Sequence, residues 1–366
     1  MLDLGVLTVP LLGASAVFFA ALLAGHDITI DRIRVMSGVD TESHIELVLT
    51  RQLIDEMRRI NESAEADLTG IDVGGSAVDT SLTEVTDYFN LSTLVSNVRD
   101  LTGITPYRVS GEVTPEQEGI QFTARIFTPG DGSPVTQVTV VGKASDLKPM
   151  FHEAALQILT NISPYVVAVH YFHEEMADES LAFTKTRELL GRHIVESPRW
   201  RTYLAYDLIG RTHRVKAELD TKLSPEDRGK ELDTAAEYLQ AALVQAPDFF
   251  YSNLNLAMVL SDKQEYGRAD QYFAKAVAIN PNDLTARVKW AEMLQAQGRT
   301  RGAIFQYVAA VELSAHDAEL RDRLAELYLK AHDVAAARQQ WRAAFQIDPM
   351  HKAFADRLLA LEAAAN

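Results

Sequence analysis

The chain has 366 residues, 47% of them hydrophobic and 23% charged, which places it among folded globular proteins and excludes wholesale disorder and a bundle of membrane spans. Its formal charge of −16 and pI near 5.1 argue against clustered Lys and Arg for phosphate backbones, so nucleic acid is not expected as a partner. Cysteine is absent, which excludes thiol nucleophiles, redox pairs and Cys-ligated metals.

From Leu4 to Gly25 no side chain is charged. As a helix this run spans about 33 Å, enough for a hydrocarbon core of about 30 Å. Asp3, rather than a basic residue, precedes it, which favours a retained anchor over a cleaved signal peptide. Residues 1–26 are therefore expected to form a transmembrane helix in an inner (plasma) membrane, single-pass. The missing cysteine favours a soluble part on the periplasmic face.

Residues 27–162 are expected to form a small α+β domain. Ile28, Ile30, Ile33 and Val35 suggest a short strand. Ile45, Val48, Leu49, Leu53, Ile54, Met57 and Ile60 recur at three and four, the period of a helix buried on one side. A second helix is expected over Ser92–Leu101. Alternating runs at Tyr107–Val113, Ile120–Phe127 and Val135–Val141, separated by Pro/Gly turns, predict an antiparallel meander. A helix over Leu147–Leu159 follows.

Residues 163–249 read as divergent helical repeats. Tyr165–Phe172 and Leu181–Ile194 offer one helix pair. Trp200–Ile209 and the frame of Ala235, Leu239 and Ala242 offer another, with the polar stretch Asp220–Lys230 read as an insertion.

Residues 250–351 carry the clearest pattern. Ala269, Ala303 and Ala337 stand 34 apart, and so do Leu256, Trp290 and Leu324; Phe273, Tyr307 and Trp341; and Ala276, Ala310 and Ala344. Pro281 and Pro349 mark the ends of units. Small residues recur where two helices must approach closely, and large ones where the next pair is wedged. Residues 352–366, with Phe354, Leu358, Leu359 and Leu361, read as a capping helix.

On these residues the chain resembles the tetratricopeptide family over Phe250 to His351. The resemblance implies an all-α C-terminal solenoid of three units that holds protein partners on its concave side. It places partner contacts at Tyr251, Leu254, Asn255 and Met258 in the first unit. In the second these are Val288, Lys289, Glu292 and Gln295, and in the third Asp322, Arg323, Glu326 and Leu329. Leu254 and Met258 occupy positions where the family's carboxylate clamp has polar residues, so a mixed groove for a protein segment is expected. The layout of the preceding domain, with Val-Ser-Gly-Glu-Val at Val109–Val113, resembles extracytoplasmic domains of membrane-anchored bacterial tetratricopeptide proteins.

His170, His173, Glu174 and Glu175 share helical spacing and could hold a metal, but the order differs from the His-Glu-x-x-His of zinc proteases. They are read as a polar face of a divergent repeat helix. No phosphate loop, dinucleotide fingerprint or nucleophile elbow is present, and no cofactor is expected. The expected function is a non-enzymatic, membrane-anchored scaffold or accessory subunit that recruits a protein partner within a larger membrane or envelope complex. Two alternatives are an envelope assembly factor acting through the α+β domain and a metal-dependent enzyme around His170/His173.

Overall fold

The computed structural model describes residues 28–37, 45–65, 73–75, 107–116, 119–128, 134–196 and 202–363. The chain divides into two compact units, one comprising residues 1–179 and 183–190, the other residues 180–182 and 191–366.

In the first unit β1 (Ile28–Ile30) lies between β3 (Val73–Gly75) and β4 (Tyr107–Glu116), parallel to both. The two-residue strand β2 (Arg34–Val35) also pairs with β4 in parallel. β4, β5 (Gly119–Phe127) and β6 (Pro134–Gly142) form an antiparallel meander. Val109 and Val113 of β4, Phe122, Ala124 and Ile126 of β5, and Val138 and Val140 of β6 are buried, so period-two alternation turns one face inward. Helix α1 (Ile45–Glu65) buries Leu49, Leu53, Met57 and Ile60, one stripe at helical spacing. Helices α2 (Leu147–Ile162) and α3 (Pro164–Met176) pack on it, and Phe151 of α2 meets Phe122 edge to face with ring centroids 5.2 Å apart.

Two expectations are corrected. Among the described residues no helix is long and apolar enough to cross a membrane, which overturns the transmembrane helix in the fold class and the single-pass inner-membrane localisation that rested on it. The physical reason lies in the helix surfaces. The described helices of 21 residues, α1 and α6 (Pro225–Gln245), are long enough, but each carries charged residues along one side. Residues 4–25, on which the expectation was built, lie outside the described residues, as does the helix expected over Ser92–Leu101.

Helix α4 (Thr184–Glu196) begins in the first unit. The second unit contains a stack of helix pairs. Helices α5 (Thr202–Leu219) and α6 form the first, α7 (Phe250–Asp262) and α8 (Tyr266–Ile279) the next, then α9 (Leu284–Ala296) with α10 (Thr300–Leu313), and α11 (Ala318–Lys330) with α12 (Val334–Ile347). Helix α13 (Lys352–Ala363) packs on α12. The polar stretch 220–230 is helical from Pro225 onward, with Ser224 capping α6 through a bond from Asp227 N–H (3.1 Å), so the irregular pair has longer helices rather than a long loop.

The 34-residue period has a geometric cause at each contact. Ala269, Ala303 and Ala337 are fully buried, as are Ala257, Ala291 and Ala325 on the facing helices, and only a methyl group fits between helix backbones that close. Each of the three pairs from α7 to α12 turns through a left-handed residue, Gln264, Gly298 or His332, with φ of 62, 70 and 63°. The N–H of the following residue returns to a carbonyl five positions back: Glu265 to Leu260 (2.8 Å), Arg299 to Leu294 (2.9 Å) and Asp333 to Tyr328 (2.8 Å). These bonds satisfy the orphan carbonyls at the helix ends as Schellman caps. Asp283 and Asp317 cap α9 and α11, accepting from Ala286 N–H (2.7 Å) and Leu320 N–H (3.0 Å).

A polar contact repeats with the same period. Arg287 donates to Gln306 (3.0 Å) and to the Pro281 carbonyl (3.3 Å); Arg321 donates to Gln340 (3.0 Å) and to the Ala315 carbonyl (2.8 Å). Asn253, one period earlier, reaches the Pro247 carbonyl (3.0 Å). Each tie fixes the loop entering a unit to the first helix of that unit.

Candidate functional site

The first helices of successive pairs line a groove. Between α9 and α11 it opens into a pocket of about 300 Å³, lined by Leu284, Thr285, Val288, Lys289, Glu292, Asp317, Glu319, Leu320 and Arg323. A second pocket of about 220 Å³ adjoins it along α9, sharing Lys289 and Glu292 and adding Arg214 and Glu218 of α5 and Met258 of α7. The α9–α11 pocket has apolar walls at Leu284, Val288 and Leu320.

Its charges are unevenly shared. Glu292 accepts from Lys289 (3.1 Å), one turn earlier on α9, and from Arg323 (2.6 Å) of α11. Two cations thus converge on one carboxylate, while Asp317 and Glu319 bring the lining of this pocket to two cations and three carboxylates. Arg323 also bonds the Tyr307 hydroxyl; this bond, with Glu292, holds the guanidinium pKa above its ordinary value despite some burial. Burial of the Tyr307 hydroxyl outweighs the opposing Arg323 bond and raises its pKa.

The structure sorts the sequence-predicted contacts into three groups. Val288, Lys289, Glu292 and Arg323 gather at the α9–α11 pocket, and Met258 joins Lys289 and Glu292 at its neighbour. Leu254 and Asn255 are buried, only 7% and 6% exposed, while Tyr251 and Gln295 are half-buried. Asp322 and Glu326 engage α13: Arg357 bonds both, at 2.9 Å to Glu326, and Asp322 also accepts from the Trp341 indole (2.6 Å). Leu329 packs beside Trp341 with Leu358 and Leu361 of α13. Sequence reasoning missed Leu284 and Leu320, at the starts of α9 and α11, and Arg214 on the lengthened helix α5. The 34-residue frame does not reach α5, but Leu320 follows Leu284 by 36 and sits beside the Asp317 cap.

In the first unit the expected His/Glu cluster divides. Glu175 caps α4, accepting from Lys185 N–H (2.8 Å), Thr186 N–H (3.1 Å) and the Thr186 hydroxyl (2.7 Å). His173 is exposed. His170 and Glu174 instead meet His152 of α2, with one ligand atom from each lying within 4.8 Å of the others. Burial lowers the His170 pKa, an effect Glu174 only partly opposes, so this imidazole favours its neutral form.

No family model matches the chain, and no curated protein matches it. Similar solved structures include MamA AMB-1, at 18% identity, covering 50% of this chain and 92% of that one with a TM-score of 0.38. They also include the MamA RS-1 ArsTM double mutant, at 13%, covering 53% and 94% with a TM-score of 0.41. YrrB, described as a TPR protein with an unusual peptide-binding site, aligns at 18% over 56% of this chain and 97% of its own, with a TM-score of 0.39. At such identities and scores the likeness adds nothing to the functional reading. The period of 34, the helix pairs, the fully buried alanines at their crossings and the repeated turn between partners give residues 250–347 a helix-pair repeat architecture like that of tetratricopeptide arrays.

Proposed function

We propose that the groove along α5, α7, α9 and α11 holds a protein segment, with its anchoring point in the α9–α11 pocket. The observation that carries this reading is the convergence of Lys289 and Arg323 on the single carboxylate of Glu292 above Leu284, Val288 and Leu320. An incoming segment with one apolar side chain and a neighbouring Asp or Glu suits it. The apolar group fills the pocket, and the carboxylate meets the two cations. Such charge-assisted bonds contribute about 1.5–3 kcal/mol each where water is excluded.

The test is a binding titration with a peptide library of varied apolar and acidic content, against the full chain and a Lys289→Glu/Arg323→Glu double variant. Selected segments should be apolar-acidic, and the double variant should lose them by about tenfold or more, since each 1.4 kcal/mol is a factor of ten. Selection of basic segments, or equal binding to the double variant, would refute the assignment.

A further inference from the structure

We propose that His152, His170 and Glu174 form a binding site for a zinc-class divalent cation in the first unit, separate from the groove. His170 and Glu174 lie one turn apart on α3, with Nε2 and Oε1 3.5 Å from each other. His152 approaches from α2, its ring centroid 6.0 Å from that of His170. Two imidazoles and one carboxylate are a recurrent zinc set that leaves further positions for water. Bonds of about 2.0–2.1 Å in tetrahedral geometry bring donor atoms to about 3.3 Å from one another. The His170–Glu174 pair is already at that spacing. The remaining separations, all within 4.8 Å, close by rotation of Glu174, the exposed member, and of half-buried His152.

Two further observations point to a ligand. His170 Nε2 is buried with no hydrogen-bond partner, although Glu174 is near, so a polar ring atom is held away from water with its bonding capacity unused. A cation supplies that partner. His152 is in turn oriented from outside the set: the Glu56 carboxylate of α1 accepts from Nδ1–H at 3.2 Å. That bond fixes the tautomer and leaves the Nε2 lone pair of His152 free to ligate. Glu56 is itself only 5% exposed and is held by Arg59, whose Nη1 lies 2.7 Å from both carboxylate oxygens. A carboxylate behind a ligating histidine is the usual outer support of a metal site. Lys185 Nζ, 3.8 Å from Glu174 Oε2, is the one nearby cation to be displaced among the described groups contacting Glu174.

The test is calorimetric titration of the tag-free, chelator-washed full chain with Zn²⁺, followed by Co²⁺ substitution read by visible absorption. The expected result is one site per chain and the intense visible bands of a low-symmetry cobalt complex. Glu174→Gln, at an exposed position, and His152→Gln should each abolish the bands while leaving circular dichroism unchanged. Glu56→Gln should weaken Zn²⁺ binding by about 10–100-fold, an effect a purely structural role would not produce once folding is verified without metal. The proposal is overturned if folded wild-type protein binds no Zn²⁺. It is equally overturned if binding survives in Glu174→Gln and His152→Gln, which would place the cation on others of the 10 histidines.

Discussion

Gly298 and His332 occupy the same left-handed point in consecutive units, at φ 70 and 63°. A side chain there costs about 1–2 kcal/mol that glycine avoids. His332→Gly should therefore raise the unfolding free energy by about 0.5–1 kcal/mol, and Gly298→Ala should lower it by about 1 kcal/mol, both checked by urea titration. A second residue-scale prediction concerns Glu231 of α6, which receives His213 Nδ1 (2.5 Å) and Lys216 Nζ (3.0 Å) from α5. Burial alone would raise its pKa, but the bonds to His213 and Lys216 win and hold it below the ordinary glutamate value. A lowered folded pKa gives stability that is complete above the unfolded pKa of about 4.3 and is lost as pH falls through the lower folded value. The penalty of Glu231→Gln should thus be full at pH 7 and vanish in the acid range, as read from thermal midpoints. At this scale the buried alanines were legible because burial permits one small residue type. The left-handed turn was not: Gln264, Gly298 and His332 share a backbone conformation but no side-chain chemistry.

Helices α5 and α6 cross at Gly210, where an added Cβ would lie 2.7 Å from Leu239 Cγ and 3.1 Å from the Ala235 carbonyl. The carbonyl cannot yield as a flexible side chain can, so Gly210→Ala should destabilise by about 1–3 kcal/mol despite the better helix propensity of alanine. Helix α13 closes the array through Phe354, 2% exposed, and through Arg357 bridging Asp322 and Glu326. Because stacked repeats depend on their neighbours, Arg357→Ala should raise amide exchange first in α11 and α12 and leave α7 and α8 protected. The pairs were readable from two apolar stripes per unit. The length of α6 was hidden by its polar opening, although Ser224-Pro225-Glu226-Asp227 carries a start signal of N-cap, proline and first-turn acids. The meeting of His152 with His170 was not readable at all, since it depends on how α2 packs beside α3 and no periodicity joins them.

For the whole molecule, a charge of −16 repels acidic partners at long range, so Lys289 and Arg323, which share their pocket with Glu292, Asp317 and Glu319, act only at contact distance. The array of helix pairs was legible in the sequence, while the pocket within it required the fold: Leu284 and Leu320 come together only when α9 and α11 lie side by side. The most direct measurement places a photoreactive side chain at Val288 in the pocket or, as a control, at Phe305, 67% exposed on the second helix of the same pair. Irradiation with a selected apolar-acidic segment should give an adduct from position 288 that disappears with Lys289→Glu/Arg323→Glu, and none from position 305. Equal adducts from both positions, or an adduct at 288 that ignores the charge reversal, would contradict the groove as the place where this protein holds its partner.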